Sequence, residues 1–130
     1  LPMLDEHAVL AAGYGETMTR LGVRPSDLVE AANASRRPLA ALLRMLDHVG
    51  GYREDPLRKK SALLAIILRQ RPERWLRLAE RDDGPPIVDY HVQRTCLRTG
   101  LVVADDGLRP RLVERAGSAA DEVDAVRRAA

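Results

Sequence analysis

One cysteine, no phenylalanine and four aromatic residues in all occur in this 130-residue chain. With Cys96 alone no internal disulfide can form, which excludes a stapled secreted scaffold and fits a reducing cytosol. No apolar run approaches the roughly 20 residues that a membrane span needs. Residue 1 does not open a basic, then apolar, then small-residue signal peptide, and no membrane role is expected. The chain starts at Leu1 instead of Met and reads as an excerpt of a longer protein. Apolar residues make up 45% and charged residues 31%, a composition that buries a core and argues against disorder. The length suits a single domain spanning 1–130.

Lysine is the scarcest charge. Of 21 basic residues 19 are Arg, and the only lysines are Lys59 and Lys60. GC-rich codon usage drifts solvated positive charge towards Arg. A retained lysine fits either chance or a need that guanidinium cannot meet, because Arg essentially never loses its proton. The net charge of +2 is unevenly spread: residues 36–77 hold eleven basic side chains against Asp47, Glu54, Asp55 and Glu73, whereas residues 1–35 come to −3. A basic middle between acidic flanks attracts a polyanion such as nucleic acid. It is also the pattern of a solvated helix surface, which charge alone favours.

Apolar spacing predicts an all-α fold. Leu4, Val9, Leu10, Tyr14, Met18 and Leu21 recur at three- and four-residue steps, with Asp5 as the expected N-cap and Gly22 as the stop. Gly13 and Gly15 inside this helix are expected to allow close helix contact; no strand precedes them, so they make no phosphate loop. Pro25 opens a short helix to about Ala34, and Pro38 another through Leu39, Leu42, Leu43, Leu46 and Val49 to Gly50-Gly51. Residues 50–58 read as a turn, followed by a strongly apolar helix from about Lys60 through Leu68. Pro72 is expected to begin an amphipathic helix with Trp75, Leu76 and Leu78, broken by Gly84-Pro85-Pro86. Asp89 then caps a helix holding Val92, Cys96 and Leu97 that Gly100 closes. Leu101–Val103 reads as a short extended piece, Asp106-Gly107 as a turn, and 110–115 and 118–129 as two weaker helices.

Two predicted helix starts carry candidate chemistry. At Arg58-Lys59-Lys60-Ser61 a hairpin between two helices enters the apolar helix. Such a turn, with glycines in it, presents backbone N–H groups to phosphate. Neighbouring positive charge, the positive helix end and burial would together favour a neutral lysine amine, which is a nucleophile able to form a Schiff base. At Pro86-Ile87-Val88-Asp89-Tyr90-His91 the Asp89 carboxylate is favoured by its helix start. There it can activate a nucleophile or stabilise a positively charged sugar.

This arrangement resembles the helix-hairpin-helix DNA glycosylase superfamily, and within it the archaeal 8-oxoguanine DNA glycosylase (AGOG-type) branch. The matching stretches are 58–68 and Pro86-Ile87-Val88-Asp89-Tyr90-His91-Val92-Gln93-Arg94 on to Gly100-Leu101-Val102, about a third of the chain with the helix before the hairpin. Gly50-Gly51-Tyr52-Arg53-Glu54-Asp55-Pro56 stands where better-known branches have a compact Leu-Pro-Gly-Val-Gly hairpin. The resemblance implies Lys60 as Schiff-base nucleophile and Asp89 as catalytic carboxylate. Double-stranded DNA with a damaged base would be the partner, and cytoplasmic, nucleoid-associated base-excision repair with AP lyase activity the role. No metal or organic cofactor is needed for this chemistry. DNA would be gripped by Gly50, Gly51, Arg53, Arg58, Lys59, Ser61, His91 and Arg94. A nucleoside or nucleotide N-glycosidase of the queuosine-salvage kind using Asp89, and a non-catalytic DNA-binding module, are the alternatives.

The remaining candidates divide between core and site. His7, His48 and His91 lack metal-ligand spacing and read as structural or surface residues; His91 lies close enough to Asp89 to touch a phosphate. Cys96 reads as a small core residue. Trp75 and Tyr90 are base-stacking candidates, although with so few aromatics core packing is the favoured expectation. Arg94 and Arg98, at i and i+4 behind Asp89, suit either phosphate contact or a plain surface.

Overall fold

A computed structural model describes residues 4–130. It is all-helical: α1 (Leu4–Leu21), α2 (Pro25–Asn33), α3 (Pro38–Leu46), α4 (Lys59–Gln70), α5 (Tyr90–Thr99), α6 (Leu108–Val113) and α7 (Ala120–Ala129), with no strand among the described residues. No helix among them is long and apolar enough to cross a membrane. The chain divides into two compact units, one ending at Ile87 and the other running Val88–Ala130.

In the first unit α1 starts by Leu4, so Asp5 lies in the first turn with Glu6 instead of at the cap; both acids still face the positive helix end. Gly22 takes φ +64° and stops the helix as expected. Of the predicted apolar stripe Met18 enters the core and Tyr14 packs against it. Thr17 and Met18 are buried, whereas Leu4, Val9 and Leu21 are exposed. The close contact runs through Gly13 and Gly50: a Cβ on Gly50 would stand 2.3 Å from the Gly13 carbonyl oxygen. Gly15 meets nothing, so the expectation holds for Gly13 alone. Thr17 Oγ1 donates to the Gly13 carbonyl at 2.8 Å and accepts from Gly50 N at 3.1 Å, fixing this approach.

Helix α3 supplies the core with Leu39, Leu42, Leu43 and Leu46, around which Met18, Ala32, Val49, Ala65 and Leu76 gather. It packs against α2 and α4. It ends at Leu46, short of the expected Val49, because His48 and Val49 donate to the carbonyls three residues back and wind the chain more tightly. Helix α4 turns an unexpected face inward. Ser61, Ala62 and Ala65 are buried, while Leu63 and Ile67 are nearly half exposed. Small residues on that face let α4 approach the α3 leucines closely.

The amphipathic helix expected from Pro72 does not form. From Arg71 to Asp89 the chain is irregular, with Arg74 and Arg81 in left-handed conformations. Three anchors outcompete the helix. Asn33 pairs through its amide with this segment's backbone, its Nδ2 donating to the Trp75 carbonyl at 2.7 Å and its Oδ1 accepting from Arg77 N at 2.8 Å. Leu76 is fully buried and its amide donates to the Leu68 carbonyl at 3.3 Å. Asp82, 2% exposed, reaches back to α3: its carboxylate accepts from Leu39 N at 2.6 Å and Ala40 N at 3.1 Å. It thereby caps a helix whose own N-cap residue, Arg37, gives no side-chain bond. Arg69 donates to the same carboxylate at 3.0 Å and to the Asp82 carbonyl at 3.2 Å.

In the second unit Asp89 caps α5 and Gly100, at φ +74°, ends it, both as expected. Cys96, Val102 and Leu108 are buried, with Val88 beside them in burial. Residues 101–103 form a bend instead of an extended strand, with Leu101 and Val103 exposed. Asp105 Oδ1 accepts from Gly107 N at 2.9 Å and Leu108 N at 2.7 Å, starting α6 two residues earlier than expected. Arg111 on α6 pairs with Glu122 on α7, and Glu122 accepts from Ala119 N at 2.8 Å.

Candidate functional site

The turn joining α3 to α4 is built from charged side chains bonded to backbone. Arg58, forced into a left-handed conformation at φ 54°, grips Asp47 through two bonds of 2.9 and 2.5 Å. Asp55, buried, accepts from Lys60 N at 2.9 Å and so serves the first turn of α4. Gly51, at φ +86°, donates to Glu54 at 2.8 Å, and Arg53 pairs with the same carboxylate at 2.8 Å. A hydrogen bond from its own backbone amide, then those from Arg53 and Gly51, hold Glu54 below the usual carboxylate range.

Lys60 is exposed, not buried, and its Nζ donates to the Gly51 carbonyl at 3.2 Å. Among the described residues it is the one charged side chain lining a groove of about 490 Å³ whose walls include Leu10, Tyr14, Tyr52, Leu63 and Ile67. Tyr14 and Tyr52 meet edge to face, with ring centroids 6.3 Å apart. Burial raises the phenol pKa of both, and for Tyr52 the neighbouring Tyr14 adds to the effect. The same two tyrosines also border a second, apolar cavity of about 480 Å³ with Leu28, Leu42, Leu46 and Trp75. Neither tyrosine was singled out as a site residue. The available signal was their position: Tyr14 between two glycines, and Tyr52 directly after Gly50-Gly51.

The other candidates fall as follows. Gly50 is buried against α1, and Arg53 is exposed on the turn. Lys59, the first residue of α4, is half-buried. Ser61 is 1% exposed, so its hydroxyl faces the interior. Trp75, 46% exposed, has Arg71 over its ring at 5.3 Å; Tyr90 is 59% exposed. The core expected for these two rings is therefore made by leucines instead.

In the second unit Asp89 Oδ1 accepts from His91 N at 2.9 Å and Val92 N at 3.0 Å. The Tyr90 and His91 rings lie 3.9 Å apart, and Arg94 stacks over Tyr90 at 5.5 Å. Lys60 and Asp89 thus belong to different units, each at the start of its own helix. Cys96 is buried, as expected. Among the described residues no group of three or more His, Cys, Asp or Glu side chains is placed to hold a metal ion.

Comparison with protein-family models, curated proteins and solved structures finds no match to this chain.

Proposed function

We propose that this protein excises an oxidised purine such as 8-oxoguanine from double-stranded DNA, with Lys60 as Schiff-base nucleophile and Asp89 as the assisting carboxylate. The observation that carries this reading is the setting of Lys60. An exposed primary amine, one of two lysines in the chain, stands alone in charge at the edge of an apolar groove. Tyrosines are within that groove's lining, and a groove of this kind suits an extruded sugar and base. The α3–turn–α4 element would act as the helix-hairpin-helix grip on the phosphate backbone, aided by Arg53 and Lys59, with His91 and Arg94 adding contacts near Asp89.

The chemistry balances without a cofactor. The Lys60 amine attacks C1′ of the sugar through its nitrogen lone pair while the C1′–N9 bond breaks and its electron pair leaves with the purine, which takes up a proton. By this reading Asp89 is the carboxylate that stabilises the positive charge on the sugar, and solvent takes up the proton shed by the amine. Opening of the sugar ring yields the Schiff base. Loss of a C2′ proton then expels the 3′ phosphate, which is the AP lyase step.

Release of free base from duplex DNA containing one 8-oxoguanine tests the reading. Lys60→Gln and Asp89→Asn should each abolish release, with little loss of DNA binding. Release by Lys60→Gln at the wild-type rate would remove the lysine from the mechanism.

One observation favours a second reading. The bond from Lys60 Nζ to the Gly51 carbonyl makes the lysine a clasp across the turn, as a non-catalytic DNA-binding module would use it. That reading predicts no base release from any lesion duplex and a loss of stability in Lys60→Gln.

A further inference from the structure

The second unit contains a cleft for which the excision chemistry has no use. It lies among α5, residues 100–104 and α6, with a volume of about 900 Å³, within the size range of small-ligand sites. Its lining is unusual in charge: Arg94, Arg98, Arg109 and Arg115 contribute, and no Asp or Glu does. None of these four arginines forms an ion pair among the described residues. Of the acids close by in sequence, Asp89 and Asp105 cap helices and Glu122 pairs with Arg111, while Asp106 and Glu114 are exposed and lie outside the lining. Between the arginines the cleft is apolar, with Leu97, Val103 and Val113 in its walls and the exposed Tyr90 ring at its edge.

Four like charges lining one cleft with no acid among them repel one another, and a multivalent anion relieves that repulsion. Guanidinium forks match phosphate oxygens two at a time. The apolar wall and the Tyr90 ring, already stacked on by Arg94, offer a flat face to a planar base. A nucleic acid carries a planar base with every phosphate, whereas the acidic side chains of a peptide offer the ring no planar face. We infer that this cleft binds a nucleic-acid strand in single-stranded form, its phosphodiesters on Arg94, Arg98, Arg109 and Arg115 and a base against Tyr90. The inference shares the nucleic-acid partner of the excision reading but none of its chemistry, and Lys60 takes no part in it.

Fluorescence anisotropy with a labelled single strand of about 12 nucleotides, titrated between about 50 and 300 mM NaCl, tests it. Four phosphate contacts give a slope of log K on log salt of roughly −2.8, and the Arg98→Ala/Arg109→Ala double variant should halve it to roughly −1.4. Affinity of that variant at the lowest salt should fall at least about tenfold, whereas Arg98→Lys/Arg109→Lys should keep the slope. Lys60→Gln should bind as wild type does even if it releases no base, which separates this inference from the excision reading. An unchanged slope in the folded alanine variant, or no binding by the wild type, would overturn the inference. So would full displacement of the strand by an equal concentration of ADP, which would make the cleft a free-nucleotide site.

Discussion

The Asp82 carboxylate is the polar centre of the first unit, and replacing it with alanine is the most demanding test of that unit's construction. Its side chain is fully buried and receives two backbone amides from α3 and the guanidinium of Arg69, whose own side chain is 16% exposed. The Arg69 bonds come from Nη1 and Nη2, and its buried Nε has no hydrogen-bond partner among the described residues. Asp82→Ala removes the cap of α3, worth about 1 kcal/mol. It also strands a buried guanidinium, and breaking one side of a buried pair costs about 3–5 kcal/mol. These terms overlap, because Arg69 keeps its bonds to the Asp82 carbonyl. A loss of about 4 kcal/mol is therefore expected, against the roughly 5–15 kcal/mol that holds a typical domain folded. Urea unfolding followed by far-ultraviolet circular dichroism measures it. Adding Arg69→Met should restore part of the loss, since the stranded charge goes with it, leaving a coupling of about 2 kcal/mol or more in the double-mutant cycle. A loss below about 1 kcal/mol, or strict additivity of the two changes, would refute the reasoning.

Gly50→Ala should destabilise the first unit by about 2 kcal/mol or more, because the new Cβ meets the Gly13 backbone at 2.3 Å. Gly15→Ala meets nothing and should stabilise α1 by up to about 1 kcal/mol in the same urea assay. Leu76→Ala should cost about 2–5 kcal/mol, and hydrogen exchange should show loss of protection across 71–82, if that leucine anchors the irregular segment. The two tyrosines set an alkaline limit. Their raised folded pKa means the native state holds its phenol protons more tightly than the unfolded chain does. Stability should thus be level up to about pH 10 and fall above it, and the fall should be smaller in Tyr14→Phe and Tyr52→Phe; an unaltered alkaline limb would contradict this.

The helices that the sequence revealed were those with local punctuation. Pro25 and Pro38 start α2 and α3, Gly22 and Gly100 end α1 and α5 with positive φ, and Asp89 caps α5 by bonds within three residues. Each of these signals acts over a single turn, so spacing alone exposes it. The larger failures involve long-range partners. Residues 72–78 have helical periodicity, yet Asn33 takes their backbone from more than 40 residues away and the core takes Leu76. Asp82 carries no sequence signal of its role, because nothing local shows that the start of α3 lacks a cap of its own. Apolar content also misjudged α4, where packing selects the small face of Ser61, Ala62 and Ala65 over the larger Leu63 and Ile67. The placement of Lys60 and Asp89 at the starts of their helices was legible from residue type and local punctuation. The tyrosine-lined groove beside Lys60 was not, because Tyr14 and Tyr52 come together only when Gly13 and Gly50 do.

Borohydride trapping on a duplex carrying one 8-oxoguanine tests the central claim most directly. Reduction fixes the Schiff base, and mass spectrometry of the digested adduct locates it. The account predicts an adduct on the peptide containing Lys60, formed with lesion DNA, absent with undamaged duplex and absent in Lys60→Gln. An adduct on another residue, or none from folded protein that binds the duplex, would contradict it.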